Sequence, residues 1–133
     1  MLDRPCAECG FRAADLPVGK IASTAIDSAA VIAAAALAPD AAIRPDPLVW
    51  SALEYACHAR DVCTVFAARL QLMITRDDPL FPDWDQDAAA VEQQYWAQDP
   101  RRVAGELVDA AAAIGGGFDA VTPGQWPRRG RRG

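Results

Sequence analysis

The stretch of sequence that decides the fold is LVWSALEYACHARDVCTVFAARLQLMIT, residues 48–75. Its apolar residues recur at intervals of three or four positions or their sum, which is the spacing of one face of an α-helix. This stripe, which Arg60 interrupts, comprises Val49, Leu53, Ala56, Cys63, Ala67, Leu70 and Ile74. The preceding Asp46-Pro47 pair is typical of a helix start, because aspartate caps a first turn and proline suits its first position. We therefore predict a long helix over residues 48–75.

Three further segments have the features of helices. Residues 19–38 are rich in alanine, which has the highest intrinsic helix propensity, and they predict the first helix. A short helix is predicted over residues 88–97. Asp99-Pro100 repeats the start signal and predicts a helix over residues 101–114, which Gly115-Gly116-Gly117 ends. The apolar face of this last helix comprises Val103, Leu107, Ala110, Ile114 and Phe118.

No segment shows the alternation of β-branched residues that is typical of a strand. The sequence therefore predicts an all-α, up-and-down bundle of three long helices and a short one, packed antiparallel. A single domain, residues 1–133, divides into an irregular leader over residues 1–18, a bundle over residues 19–120 and a Gly/Pro/Arg tail over residues 121–133. Three long helices leave the groove of a fourth uncovered, so we expect a homo-oligomer formed through this exposed apolar groove.

The composition excludes several classes of protein. Hydrophobic residues make up 52% and charged residues 23% of the 133-residue chain, as in a soluble globular domain. The longest apolar run, residues 29–38, falls well short of the ~20 residues of a membrane span. No basic segment precedes an apolar one at the start of the chain, as it would in a secretory signal. We expect a cytoplasmic protein without a membrane partner.

The net charge argues against nucleic acid as a partner. The chain has 13 basic and 18 acidic residues, which gives a formal charge of −5. Arg128, Arg129, Arg131 and Arg132 all lie in the tail, so the body of the chain is more acidic still. Such a body repels a phosphate backbone, whose neutralisation by lysine and arginine drives non-specific binding.

The cysteines leave two interpretations open. Cys6-x-x-Cys9-Gly10 has the spacing of half a zinc site, in which two thiolates bind from a tight turn. We favour the other interpretation, a reduced and partly buried pair that packs the leader against the bundle, because no second such pair exists in the sequence. Cys57 and Cys63 lie on different faces of one predicted helix and cannot pair with each other there.

His58 is the only histidine, so one chain cannot form a multi-histidine metal site. Glu54 precedes it by four residues and Asp61 follows it by three, which places both carboxylates on its side of the helix. A carboxylate beside a histidine can orient the ring and raise its basicity, as it does around metal ions. The alternative is an ordinary surface histidine with acidic neighbours.

Four segments together resemble the DinB-like (YfiT-like) four-helix-bundle family, in its actinobacterial-type subgroup. They are WSALEYACHARDVCTVFAARLQLMITRDDPLFPDWDQD (residues 50–87), CAECGF (residues 6–11), QYWAQDPRRVAGEL (residues 94–107) and WPRRGRR (residues 126–132). The resemblance implies a bundle that carries a divalent metal, zinc or nickel, on three histidines. One of these lies on the second helix, where it matches His58, and two lie on the last helix in an H-D-x-x-H-H segment.

The resemblance also implies an activity. Relatives include thiol-dependent transferases and a mycothiol-dependent isomerase, in which the metal binds and activates a low-molecular-weight thiol. Because the sequence stops at Gly133, the resemblance implies a truncated chain whose fourth, C-terminal helix is missing. We therefore expect a thiol-transferase scaffold that is inactive or impaired and binds metal weakly or not at all. The alternative is a non-catalytic helical interaction module or a self-associating remnant.

Overall fold

The computed structural model describes residues 4–133 and contains four α-helices in that range. They are α1 (Ile21–Ala36), α2 (Ala52–Thr75), α3 (Gln86–Glu92) and α4 (Pro100–Asp119). Short 3-10 helices cover Ala13–Asp15, Val18–Lys20 and Tyr95–Ala97. These elements confirm the predicted all-α class with three long helices and a short one. Strands are limited to β1 (Leu80–Phe81) and β2 (Arg131–Arg132), a parallel two-residue pair that the sequence pattern did not predict.

Helix α2 begins four residues later than predicted, at a different cap. Ser51 Oγ accepts a hydrogen bond from the Glu54 N–H at 3.2 Å, and the Glu54 carboxylate accepts one from the Ser51 N–H at 2.8 Å. This reciprocal capping box satisfies two backbone N–H groups that would otherwise lack partners. The Asp46 side chain instead accepts the Leu48 N–H at 2.9 Å within a turn. The prediction of a helix start at Asp46-Pro47 was wrong because a stronger cap lies downstream.

Helix α4 begins as predicted and ends later than predicted. Asp99 caps it by accepting the Arg101 N–H at 2.8 Å, and Pro100 occupies its first turn. The helix then continues through Gly115, Gly116 and Gly117 to Asp119. The prediction that these glycines end the helix was wrong, because packing against α1 outweighs their weak helix propensity.

The connectivity differs from a simple up-and-down bundle in one pair of helices. Near its start, α4 contacts the first half of α2, where Arg60 donates to Glu106 at 2.7 Å. Near its end, Gly117 lies against Leu70 in the second half of α2, so α2 and α4 run in the same direction. Parallel packing is possible because the segment between them runs back along α2, where Arg69 donates to the Pro82 carbonyl at 3.1 Å. Helix α1 is antiparallel to α4.

The buried core lies at one end of the bundle, which we call the closed end. It comprises Ala29, Ala33, Ala36, Leu53, Ala56, Cys57, Ala90, Tyr95, Val103, Ala104, Leu107 and Ala111. At the opposite end, which we call the open end, the second half of α2 faces the last turns of α4 and the tail. No residue of α2 beyond Arg60 is fully buried. The predicted stripe on α2 is therefore buried at Leu53 and Ala56 and only half-buried from Cys63 onward.

Helix α1 and the turn before it form one segment, Val18–Ala36, that is long and apolar enough to cross a membrane. The segment has 19 residues and a mean hydropathy of 1.4, so the expectation that no stretch comes near this length was wrong. Length and composition alone do not separate a membrane span from an apolar helix of a globular bundle. Within this bundle, α1 buries Ala22, Ala29, Ala33 and Ala36.

Candidate functional site

His58 lies in the second turn of α2, at the edge of the closed end. Its side chain is half-buried, and its Nδ1 atom is buried without a hydrogen-bond partner among the described residues. Most buried polar side-chain atoms in proteins have a partner, and an orphaned one costs about 1–3 kcal/mol. This unpartnered nitrogen atom makes the His58 imidazole the candidate functional group at the closed end.

Two tryptophans hold the imidazole ring. Trp84, from the loop that returns along α2, stacks on His58 with ring centroids 5.6 Å apart and planes 4° from parallel. Trp50, which precedes the α2 cap, lies 5.3 Å from the ring at 60°. Trp50 in turn packs edge-on against Tyr95, 6.2 Å away. These contacts fix the plane of the imidazole and connect it to the core.

His58 opens into a pocket of about 280 Å³ that contains one carboxylate. The pocket is lined by Leu48, Trp50, Tyr55, His58, Gln86 and Asp87. Gln86 and Asp87 belong to the first turn of α3, so the return of the chain along α2 brings them to His58. The sequence analysis missed Asp87 as a neighbour of His58, because 29 residues separate them and no local spacing signals the contact.

Glu54 does not take the position that the sequence predicted for it. Arg44 donates to its carboxylate at 2.9 Å, and the Ser51 N–H donates to it as part of the helix cap. Arg44 lowers the pKa of Glu54, with a further contribution from Ser51. The buried carboxylate of Glu54 thus forms a structural ion pair with Arg44. Among the described residues, it makes no hydrogen bond to His58.

Asp61 is also engaged away from His58. Its carboxylate accepts hydrogen bonds from Tyr95 Oη and from Arg60 Nε, the latter at 2.9 Å. Arg60 also donates to Gln98 at 2.9 Å and to Glu106 at 2.7 Å. This network ties the start of α4 to α2. The prediction that Asp61 orients the imidazole was therefore wrong, because a buried tyrosine and arginine compete for it.

Among the described residues, none of the four cysteines joins His58 in a group of three metal-ligating side chains. Cys57 is buried, its thiol donates to the Tyr95 carbonyl at 3.8 Å, and burial raises its pKa to about 11. Cys63 is half-buried, whereas Cys6 and Cys9 are exposed in the leader. The interpretation that Cys6 and Cys9 pack the leader against the bundle was wrong. Within residues 4–133, no three His, Cys, Asp or Glu side chains come together as metal ligands.

The open end contains a separate apolar cavity of about 410 Å³. Its lining includes Phe66, Leu70, Met73, Phe81, Phe118 and Trp126. Leu70 follows His58 on α2 by roughly 18 Å along the helix axis, at 1.5 Å per residue. The cavity is therefore distinct from the His58 pocket.

The fold and the pocket define a class of protein: an all-α four-helix bundle that presents one imidazole from its second helix. The chain belongs to the DinB superfamily, whose family model matches residues 28–133. It is also similar in structure to YfiT from Bacillus subtilis, with a TM-score of 0.70 and 15% sequence identity. YfiT is described as a probable metal-dependent hydrolase with an unusual four-helix bundle topology.

The similarity to YfiT covers 83% of this chain and 65% of YfiT, so the chain spans less than two thirds of that protein. At this identity, the likeness establishes the fold. No curated protein matches the sequence. The family predicted from the sequence motifs is thus confirmed, and the actinobacterial-type subgroup and the truncation stay predictions.

Proposed function

We propose that the chain is the scaffold of a divalent-metal-dependent thiol transferase of the DinB type, with His58 as the metal ligand of its second helix. The observation that carries the proposal is the buried Nδ1 atom of His58, which has no partner among the described residues. The stacking of Trp84 and the contact with Trp50 keep the ring in place for a ligand. Membership of the DinB superfamily and the likeness to YfiT, a probable metal-dependent hydrolase, support a metal ion in that role.

The pocket residues fit part of a metal site. Imidazole and carboxylate are both zinc ligands, and His58 and Asp87 line the same pocket. Structural zinc sites take four protein ligands and catalytic ones take three, whereas the sequence contains one histidine. We therefore propose that this chain by itself binds zinc or nickel weakly and has little or no catalytic activity.

The proposed substrate class rests on the family resemblance and is compatible with the chemistry and size of the pocket. A bound divalent ion would supply a Lewis acid that favours a thiolate or hydroxide at neutral pH. The pocket volume of about 280 Å³ lies just below the usual range for small-molecule sites and suits a small ligand. The family resemblance implies that this ligand is a low-molecular-weight thiol of the mycothiol type. In this scheme, Trp50 and Trp84 orient the imidazole, and Gln86 and Asp87 supply polar groups at the pocket mouth.

Calorimetric titration of zinc and nickel tests the proposal. A Cys6→Ser, Cys9→Ser background removes the exposed thiols, which would otherwise compete for metal. We expect weak binding that His58→Ala abolishes and Asp87→Ala reduces, whereas Asp83→Ala, a matched change outside the pocket, leaves it unchanged. Binding that survives His58→Ala in this background would contradict the proposal.

A thiol titration then separates the two reaction classes. With nickel bound, addition of a small thiol should produce thiolate-to-metal charge-transfer absorption, which His58→Ala should remove. Metal binding without this absorption would favour a hydrolase, in which the metal activates water.

One observation favours the alternative, a non-catalytic module that self-associates. At the open end Phe66 is 45% exposed and Leu80 is 60% exposed, beside the 410 Å³ cavity. Self-association would cover this apolar surface. Sedimentation velocity in the presence of a chelator should then show a concentration-dependent dimer that Phe66→Asp removes. Val31→Asp, at a more exposed apolar position on α1, is the control. The cytoplasmic location and the absence of membrane and nucleic-acid partners stay predictions from the sequence.

A further inference from the structure

The leader contains a small hairpin built around Cys6 and Cys9. The Cys6 N–H donates to the Phe11 carbonyl at 2.8 Å, and the Gly10 N–H donates to the Cys6 carbonyl at 2.9 Å. Gly10 has a φ of +74°, a conformation that glycine adopts without strain. Every residue from Cys6 to Phe11 is exposed, so the hairpin is shaped by its own hydrogen bonds rather than by the core.

The hairpin presents both of its thiols to solvent, since Cys6 and Cys9 are exposed. The thiolate is the form of cysteine that binds metal, so both sulfurs are accessible as ligands once they lose their protons. Two exposed cysteines three residues apart in one turn, with a glycine of positive φ after the second, have the arrangement of a two-thiolate chelate.

We propose that Cys6 and Cys9 bind zinc as half of a four-thiolate site, and that the same pair from a second copy of the chain completes it. A structural zinc ion takes four ligands in a tetrahedron, and its binding releases the four thiol protons. Within residues 4–133, no third His, Cys, Asp or Glu side chain joins the pair, and we assign the missing ligands to the second copy.

The remaining cysteines do not provide the missing ligands. Cys57 is buried and bonded to the Tyr95 carbonyl, and Cys63 is half-buried on α2. The exposed hairpin, in contrast, can meet its copy across a two-fold axis, which presents two identical pairs to one ion. This site is independent of the His58 pocket and of the apolar surface at the open end.

Metal stoichiometry and mass together test the proposal on the reduced full chain. Cobalt titration should show thiolate charge-transfer and tetrahedral bands that saturate at one ion per two chains, with displacement by zinc. Sedimentation velocity should show a zinc-dependent dimer that a chelator reverses. Cys6→Ser and Cys9→Ser should each lower the zinc affinity by more than about 100-fold and abolish the zinc-dependent dimer.

Two control variants separate this site from the others. Cys63→Ser should retain the stoichiometry and the dimer, and so should His58→Ala. Circular dichroism should show unchanged helix content in the Cys6 and Cys9 variants, because the hairpin lies outside the core. Saturation at one ion per chain without a change in mass would overturn the shared site. Loss of zinc-dependent dimerisation in His58→Ala, or its persistence without Cys6 and Cys9, would overturn the assignment to this pair.

Discussion

The closed and open ends of the bundle differ in how completely their helices bury side chains. At the closed end the helices bury complete side chains, including the charged groups of Glu54 and Arg60, and each has its partners. At the open end the second half of α2 leaves large apolar residues such as Phe66 partly exposed around a cavity. The difference indicates that the fold is held mainly at the closed end, where the candidate site also lies.

The largest effect should come from a pair of matched leucine substitutions on α2. Leu53 is 1% exposed at the closed end, so Leu53→Ala should lower the free energy of unfolding by about 2–5 kcal/mol. Leu70 is half-buried beside the open-end cavity, and Leu70→Ala should cost less than half as much. Urea denaturation of both variants measures the difference. Equal losses would show that the open end contributes as much packing as the closed end.

The next effect concerns the buried ion network. Arg60→Ala removes one donor from each of Asp61, Gln98 and Glu106, and charged hydrogen bonds of this kind contribute about 1.5–3 kcal/mol. Arg102 also pairs with Glu106, but its side chain is 53% exposed, so Arg102→Ala should cost about 0.2–1 kcal/mol. Denaturant unfolding in low and high salt checks both. A similar loss in the two variants would contradict the role of Arg60 as the centre of the network.

A smaller effect should appear in the pH dependence of stability. Arg44 and Ser51 lower the pKa of Glu54 in the folded state. The stabilisation is therefore complete above the unfolded pKa of about 4.3 and is lost as the pH falls through the lower folded value. Glu54→Gln should make the unfolding free energy less sensitive to pH below that point. Asp83→Asn, an exposed carboxylate, should leave the pH profile unchanged.

The outline of the fold could be predicted from local sequence signals, because helix periodicity and caps are local properties. The Asp99-Pro100 start of α4 was correct for this reason. The start of α2 was not, because the capping box at Ser51 and Glu54 competes with the Asp46-Pro47 signal. The parallel arrangement of α2 and α4 depends on the path of the loop after α2, which leaves no periodic pattern.

The candidate site could be predicted only as far as His58 itself. His58 is the only histidine in the sequence, and the family resemblance also indicated it. Its neighbours Trp84 and Asp87 reach it through tertiary structure, so spacing along α2 could not identify them. That spacing instead suggested Glu54 and Asp61, which lie close to His58 in sequence. The Glu54 carboxylate is bound by Arg44. The Asp61 carboxylate is bound by Tyr95 and Arg60.

The smallest predicted effect tests how tightly the open end is packed. A Cβ added at Gly116 meets nothing within 4 Å, so Gly116→Ala should raise the unfolding free energy by about 0.5–1 kcal/mol through helix propensity alone. A Cβ added at Gly115 would lie 3.2 Å from Ala22 Cβ and 3.3 Å from Ala22 Cα, so α1 would have to move away from α4. Gly115→Ala should therefore gain less than Gly116→Ala or lose stability. Thermal and urea unfolding of the two variants give the comparison directly. An equal gain at both positions would show that α1 can move away from α4 at Gly115 without a loss of unfolding free energy. The loose packing of the open end would then include this contact.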